Sequence, residues 1–169
     1  DEFDYFPTPE IVVNRLVEIA EPVAGMKFLE PNAGQGAIAI PFKNLGCEIT
    51  CYELSEKNFN ILNELGLNAT QIDFLQVEPE EKFDLIVMNP PFSKQQDIKH
   101  VLHAYKFLKP NGKLVSVMCS NILWRDNKLT NEFRKFVEEN GEIEKLPEHS
   151  FKSSGTLVGT VVVTLRKPV

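Results

Sequence analysis

Asn89-Pro90-Pro91-Phe92 is the stretch of this sequence whose residue types are best suited to chemistry. It follows residues 83–88, a hydrophobic run typical of a buried strand, so it should lie at a strand's carboxyl end, where open α/β sheets place their sites. The prolines remove two backbone N–H donors and fix φ at about −65°. The Asn89 side-chain oxygen and the backbone carbonyls remain as acceptors beside the Phe92 ring. This set suits a planar –NH2 group; the alternative is a proline turn with Phe92 in the core.

A glycine turn upstream suits a nucleotide-like ligand. Residues 30–37 read Glu-Pro-Asn-Ala-Gly-Gln-Gly-Ala and follow a predicted strand. Glycines there let the backbone approach a ligand and leave N–H groups open at the start of the next helix. Glu53 ends the second predicted strand, where an acid can bind a ribose diol. Because Gly34-x-Gly36-x-x-Ala39 also matches the dinucleotide fingerprint, a nicotinamide-dependent oxidoreductase stays an alternative.

Asp73 ends the third predicted strand, 20 residues after Glu53. A carboxylate at this place can accept a hydrogen bond from an adenine amino group, with Phe74 beside the ring. The alternative is that Asp73 only caps a helix or stabilises a turn.

The elements that must position these residues are strands alternating with helices. Thr8 is predicted to cap the first helix, with Pro9 in its first turn. Ser55 is predicted to cap a later helix, and Gly46, Gly66 and Gly141 to end helices. Strands are predicted at 27–30, 48–53, 69–72, 83–88, 113–119, 142–147 and 156–165, with helices at 9–20, 37–45, 55–65, 97–108 and 130–139. This order predicts an α/β fold: a Rossmann-like, doubly wound, mostly parallel seven-stranded sheet with a C-terminal β-hairpin at one edge.

Length and composition predict one domain. The chain has 169 residues, 43% of them hydrophobic, so we expect a single domain over 1–169 with its own core. The sequence shows neither an apolar span of about 20 residues nor a signal peptide, which predicts a soluble, cytoplasmic protein without membrane contact. Three cysteines and three scattered histidines lack the spacing of a metal site or a disulfide framework, so no metal is expected.

Charge is distributed unevenly along the chain. The net charge of −6 argues against a protein that simply coats nucleic acid. Residues 1–90 carry 16 acids and 5 bases, whereas residues 91–169 carry 8 acids and 13 bases. Five lysines that follow the motif form either a solvated helix face or a phosphate-facing rim beside the site. They are Lys94, Lys99, Lys106, Lys109 and Lys113.

Taken together, these motifs resemble class I S-adenosylmethionine-dependent methyltransferases. Within that class, the sequence is similar to amino-methyltransferases with an Asn/Asp-Pro-Pro-Phe/Tyr signature. These include adenine-N6 methyltransferases of DNA and RNA and a branch that methylates glutamine in proteins. The resemblance implies S-adenosylmethionine as cofactor. The cofactor-binding positions that it implies are Phe6, Thr8, Pro9, Glu30, Asn32, Ala33, Gly34, Gly36, Glu53, Leu54, Asp73, Phe74 and Asn89.

The resemblance also implies a catalytic role for Asn89, Pro90, Pro91 and Phe92. Asn89 and the Pro90 carbonyl would accept both amine hydrogens, and Phe92 would stack on the target ring. A base inside a duplex cannot reach such a pocket, so the target must be flipped out or single-stranded. Implied substrate contacts are Phe92, Trp124, Arg125 and Phe151; for Trp124 a core or lid role is the alternative, and for Phe151 a core role.

DNA enzymes of this group usually carry a separate target-recognition region, which we expect this domain to lack. Such a minimal domain would act on RNA, act with low specificity, or take its recognition from a partner subunit or from a terminal segment outside this sequence. The expected function is therefore methyl transfer to the N6 amine of adenine in DNA or RNA. A protein glutamine N5-methyltransferase, or a non-catalytic cofactor-binding subunit of a methyltransferase complex, remains the alternative.

Overall fold

A computed structural model describes residues 7–147, 150 and 159–169. Phe6, Phe151 and the loop at 152–155 lie outside these residues, so the roles predicted for them stay predictions. The strands described are β1 (Lys27–Glu30), β2 (Glu48–Glu53), β3 (Ala69–Gln71), β4 (Phe83–Met88), β5 (Leu108–Cys119), β6 (Gly141–Lys145) and β7 (Thr160–Arg166). The helices described are α1 (Glu10–Ala20), α2 (Ala39–Asn44), α3 (Glu56–Glu64), α4 (Gln96–Tyr105) and α5 (Lys128–Asn140).

The strands form one sheet in the order β3-β2-β1-β4-β5-β7-β6. Strands β1 to β5 pair in parallel, and β7 runs antiparallel to both β5 and β6. The predicted mostly parallel sheet with a terminal hairpin is confirmed. The strand order reverses between β1 and β4, so their carboxyl ends open a crevice of the kind that binds ligands in such sheets.

Helices cover both faces of the sheet, because each presents apolar residues at helical spacing. On one face, Leu16 of α1, Phe42 of α2 and Leu62 of α3 are fully buried in one hydrophobic cluster. On the other face, Val101 of α4 and Phe133 of α5 belong to a second cluster. Both faces of the sheet are thereby covered, and its accessible carboxyl ends are where a ligand can reach polar groups.

The start of the first helix differs from the prediction. Pro9, not Thr8, is the N-cap of α1, and it makes no capping side-chain bond. Instead, the Thr8 hydroxyl accepts a hydrogen bond from Asn89 Nδ2 at 3.0 Å. Proximity to β4 therefore determines the role of Thr8, a contact that local sequence cannot show. The predicted cap at Ser55 is confirmed, since its side chain accepts from the Asn58 N–H.

Two boundaries near β5 and β6 also differ. The helix predicted to reach residue 108 ends at Tyr105, because Leu108 pairs with Phe83 at the start of β4. Gly141 ends α5 as predicted but is also the first residue of β6. A Cβ at Gly141 would overlap the Thr164 carbonyl oxygen of β7, so close strand approach requires this glycine.

The described residues include no helix with the length and apolar character needed to cross a membrane. Within them, no group of three or more His, Cys, Asp or Glu could hold a metal ion.

Candidate active site

Two cavities meet at the crevice between β1 and β4. The larger has a volume of about 280 Å³ and the smaller about 30 Å³. Asn32 and Asn89 line both of them. The larger is lined by Pro31, Asn32, Glu53, Leu54, Ser55, Asn58, Ile72, Asp73, Phe74, Leu75, Asn89, Pro91, Gln96 and His100. The smaller is lined by Pro7, Thr8, Glu30, Asn32, Ala33, Gly34, Gln35, Ala37, Ile38 and Asn89.

Glu30 ends β1 at the wall of the smaller cavity and is almost wholly buried. Its Oε2 accepts the N–H of Asn32 at 3.0 Å. Burial, opposed by the Asn32 N–H bond and helped by the nearby charge of Glu53, raises the pKa of Glu30 to about 8. The carboxyl is therefore mostly protonated at neutral pH.

The glycine loop is bound to the end of β2 through Glu53. The Gly34 N–H donates to Glu53 Oε1 at 2.7 Å, and the Ser55 N–H donates to Oε2 at 2.8 Å. Gly34 has φ +56° and Gly36 φ +91°, values that glycine adopts without strain. Burial raises the pKa of Glu53, while the backbone donors oppose that rise. Its carboxylate keeps further acceptor capacity toward a ligand in the larger cavity.

Asn32 has one unsatisfied buried atom between the two cavities. Its Nδ2 lies 3.0 Å from His100 Nδ1, and its Oδ1 is the buried side-chain atom without a partner among the described residues. Burial lowers the pKa of His100 to about 4, so the ring is neutral at pH 7 and Nδ1 can accept. Asn32 lines both cavities, and an orphaned acceptor on such a residue fits a ligand that brings a hydrogen-bond donor.

Asp73 and Phe74 line the larger cavity and also have structural roles. Asp73 Oδ1 accepts the Leu75 N–H at 3.0 Å and caps a short 3-10 helix, so the capping alternative is observed. Phe74 is buried against His103 and Phe107, with ring centroids 4.8 Å and 5.1 Å apart. Contact of either residue with an adenine stays a prediction. Leu54, by contrast, is 57% exposed at the cavity rim.

The motif Asn89–Phe92 lies at the carboxyl end of β4. The Asn89 amide nitrogen is the end bound to Thr8, so the acceptor Oδ1 is directed away from Thr8. Pro90 is buried and Pro91 lines the larger cavity. Phe92 is half-buried against the cluster of the α1–α3 face, so its ring is partly core and partly accessible.

The lysines that follow the motif do not form one rim. Lys109 pairs with Asp84 at 3.3 Å, and Lys113 donates to the Ile19 carbonyl at 2.8 Å. Both contacts lie at the amino ends of β4 and β5, opposite the site, because α4 runs back across the sheet. The phosphate-rim interpretation is wrong for these two. Lys94, two residues after Phe92, is exposed, as are Lys99 on α4 and Lys106 just after it.

Trp124 follows the 3-10 helix Ser120–Leu123, which comes directly after β5. Its side chain is 71% exposed, so the core alternative for Trp124 is wrong. Arg125 beside it is half-buried, and its charge opposes the rise in the pKa of Asp97. A substrate contact by either residue stays a prediction.

The sequence did not identify several cavity residues, among them the buried polar side chains of His100 and Asn58. For His100 a signal existed, since it lies three residues after Asp97 on the apolar face of a predicted helix. Nothing local reveals its contact with Asn32, which is 68 residues away.

Comparisons with known proteins agree with this geometry. The family model described as methyltransferase small domain matches residues 14–143. Over 130 residues the chain is 27% identical to a tRNA1(Val) (adenine(37)-N6)-methyltransferase from Glaesserella parasuis, covering 61% of this chain and 55% of that protein. Over 121 residues it is 28% identical to a release factor glutamine methyltransferase from Clostridium acetobutylicum, covering 64% and 42%. The chain thus spans about half the length of these relatives.

Solved structures share the fold. The methyltransferase subunit of a type I restriction-modification system from Streptococcus thermophilus superposes with a TM-score of 0.82 at 24% identity, over 96% of this chain and 45% of that one.

Proposed function

Because this chain belongs to the methyltransferase small domain family, we propose that it transfers a methyl group to a planar exocyclic –NH2 group, the N6 amine of adenine in DNA or RNA. The family overturns the nicotinamide-dependent oxidoreductase alternative. S-adenosylmethionine is the cofactor of this class, and when bound it supplies an electrophilic methyl group on a sulfonium.

The residues present fit that cofactor. The orphaned Asn32 Oδ1 needs a donor, and the cavity of about 280 Å³ has acids at two strand ends. Glu53 and Asp73 would hold the adenosyl part, with Leu54 at the rim. Glu30, Asn32 and the loop from Ala33 to Gly36 would hold the amino-acid part in the smaller cavity, together with Thr8. Roles for Phe6 and Pro9 in cofactor binding rest on the family resemblance.

The observation that carries the proposal is the position of Asn89. It lines both cavities, and Thr8 fixes its amide through a 3.0 Å hydrogen bond. An amine held by Asn89 therefore stands where the two cavities meet. Orientation of this kind supplies most of what a reaction with an already activated methyl group needs.

The residues of the motif orient the acceptor. Asn89 Oδ1 and the Pro90 carbonyl accept the two amine hydrogens, which directs the nitrogen lone pair toward the donor. Pro91 keeps the backbone rigid, and Phe92 covers the face of the target ring. As the N–C bond forms and the S–C bond breaks, the nitrogen releases one proton, which leaves to water. His100 is not assigned as its acceptor, because Nδ1 is engaged with Asn32.

The exposure of Trp124 favours a nucleobase as acceptor. An exposed tryptophan beside Arg125 and Lys128 is typical of surfaces that stack on unpaired bases. The adenine-N6 methyltransferase among the relatives supports the same class. The target base would be flipped out or single-stranded, and a recognition partner subunit stays part of the proposal.

Protein glutamine N5-methylation is the second candidate. A carboxamide also presents a planar –NH2 to Asn89, and the similarity to a release factor glutamine methyltransferase favours it specifically. A non-catalytic subunit is disfavoured because the motif Asn89–Phe92 is intact.

One experiment separates these acceptors. The protein is incubated with methyl-labelled S-adenosylmethionine and total DNA, RNA or protein, and the digest is analysed for the methylated unit. We expect N6-methyladenine in RNA or DNA; N5-methylglutamine would replace the proposal with the second candidate. Asn89→Ala is the control, expected to lose turnover by about 10²-fold or more while calorimetry finds cofactor binding retained. Lost cofactor affinity with retained turnover would contradict the role of Asn89.

A further inference from the structure

We infer that Gln95 is a positioning residue that fixes the motif loop, residues 89–95, to the N-terminus of α5. The inference rests on the proposed function, because the loop carries the residues that would orient the acceptor amine. Nothing in the motif itself identifies Gln95, which lies three residues beyond Phe92.

The first observation is the backbone conformation after the motif. Lys94 has φ +55° and Gln95 has φ +58°, and neither is a glycine. Two consecutive L residues in the left-handed region are strained, and such strain persists only where surrounding contacts hold it. The strain lies directly between the motif and α4.

The second observation is the set of contacts made by the Gln95 amide, which we call the Gln95 clamp. Its Nε2 donates to Thr130 Oγ1 at 2.7 Å, and its Oε1 accepts from Asn127 Nδ2 at 3.1 Å. Thr130 is fully buried. Asn127 Oδ1 also accepts the Thr130 N–H at 2.9 Å, so the residue that caps α5 is the one that binds Gln95.

The clamp complements two other fixed points of the same segment. Asn89 is bound to Thr8 at the start of the loop. Asp97, buried in α4, accepts the Cys119 N–H at 3.0 Å and so fixes α4 to the end of β5. Gln95 alone among these three connects the loop to α5.

Helix α5 also holds the Trp124 segment, residues 120–127. Arg134 Nη1 donates to the carbonyls of Ile122 at 2.7 Å and Arg125 at 2.9 Å. The clamp therefore sets the motif loop relative to the surface where the proposed substrate base would stack. Without it, the strained loop relaxes and the Pro90 carbonyl and Phe92 ring lose alignment with Asn89.

The test compares Gln95→Ala, Gln95→Gly and the control Glu138→Ala on the exposed face of α5. Both Gln95 variants should lower kcat by about 10- to 100-fold, with KM for the acceptor and Kd for the cofactor changed less than about threefold. Glu138→Ala should match the wild type. Glycine accepts positive φ without strain, so wild-type kcat in Gln95→Gly would show that only the backbone conformation matters and would overturn the inference.

Asn127→Ser tests the clamp from its other side. Serine retains the cap of α5 but cannot reach Gln95. Its kcat should fall as in Gln95→Ala, and the double variant should be no slower than the slower single variant. If the two losses in kcat multiplied in the double variant, the inference would be overturned, because free-energy effects add, and rate factors multiply, only at independent sites.

Hydrogen exchange separates failure of this inference from failure of the proposed function. Gln95→Ala should speed amide exchange at residues 92–96 without changing that of β4, whether or not any acceptor is methylated. Unchanged exchange in the loop overturns the clamp. If the wild-type protein methylates none of the acceptor pools, the proposed function is overturned. The Gln95 clamp is then judged by the exchange measurement alone.

Discussion

At the scale of single residues, desolvation sets the chemistry of the site more than opposite charges do. Burial is the largest cause of the raised pKa values of Glu30 and Glu53 and of the lowered pKa of His100. Side chains of this kind bind a ligand through hydrogen bonds and do not need to exchange protons with it. That agrees with a transfer in which the donor is already activated.

Glu53 gives a prediction at this scale. Glu53→Gln retains one acceptor oxygen but loses the charge that receives the Gly34 and Ser55 N–H groups. A hydrogen bond to a charged group contributes about 1.5–3 kcal/mol, so the cofactor Kd should rise by roughly 10- to 100-fold. Calorimetry measures this, with the exposed Glu56→Gln as control. Unchanged affinity in Glu53→Gln would show that Glu53 is not part of the cofactor site.

At the scale of elements, the sequence predicted the strands and turns whose formation depends on residues that are neighbours along the chain. The four-residue strand before the glycine loop and the strand before Asn89 were predicted with their observed bounds, because apolar runs and turn residues mark them. The Thr8–Asn89 and Asn32–His100 contacts were missed, since each joins segments at least 68 residues apart. Lys109 and Lys113 lie at the amino ends of β4 and β5 because β5 runs parallel to β4, so being close to the motif in sequence does not bring them near it.

The segment that carries Trp124 gives the next prediction. Trp124→Ala should raise KM for a single-stranded adenine substrate by about tenfold or more, since stacking on a base contributes about 1–3 kcal/mol. Stability should change by less than about 0.5 kcal/mol, because the side chain is 71% exposed. Steady-state kinetics measures KM, and Trp124→Phe should retain most of the affinity. Equal KM values for Trp124→Ala and the wild type would exclude stacking at this position.

The junction of α5 and β6 gives a prediction about the edge of the sheet. Gly141→Ala should destabilise the fold by about 1–3 kcal/mol, because the added Cβ overlaps the Thr164 carbonyl oxygen. Its φ of −178° is extended, so backbone strain is not the cause. Urea unfolding measures the loss against the exposed Glu139→Ala. Equal stability would mean that β6 can separate from β7 without cost.

At the scale of the whole molecule, Glu30 makes stability depend on pH. Its pKa rises from 4.5 to about 8 on folding, so the folded state binds the proton more tightly than the unfolded state. The stabilising contribution is complete below about pH 4.5 and is lost as pH rises through about 8, by on the order of 3–5 kcal/mol.

Glu30→Gln isolates this effect because glutamine does not titrate. Relative to the wild type, the variant should gain stability from about pH 5 to about pH 8 and then level off, as measured by urea unfolding at about pH 5, 7, 8 and 9. A difference between the two proteins that stays constant with pH would contradict a buried, proton-binding Glu30.

Lys109 is paired with Asp84, and Lys113 with the Ile19 carbonyl, at the amino ends of β4 and β5. Neither lysine is therefore placed to bind a phosphate at the site and release its counterion. Among the described residues, Lys94, Arg125 and Lys128 lie within two positions of Gln95 or Asn127 in the sequence, and Lys94 and Lys128 are exposed. Three phosphate contacts on a single strand give a slope of log K against log salt of about −2, a loss of roughly 20-fold between 50 and 200 mM salt. Fluorescence anisotropy with a labelled oligonucleotide measures the slope, and a value steeper than about −4 would contradict it. With the expected shallow slope, the affinity for the proposed nucleic-acid substrate depends more on whether an adenine is unpaired than on the length of the strand.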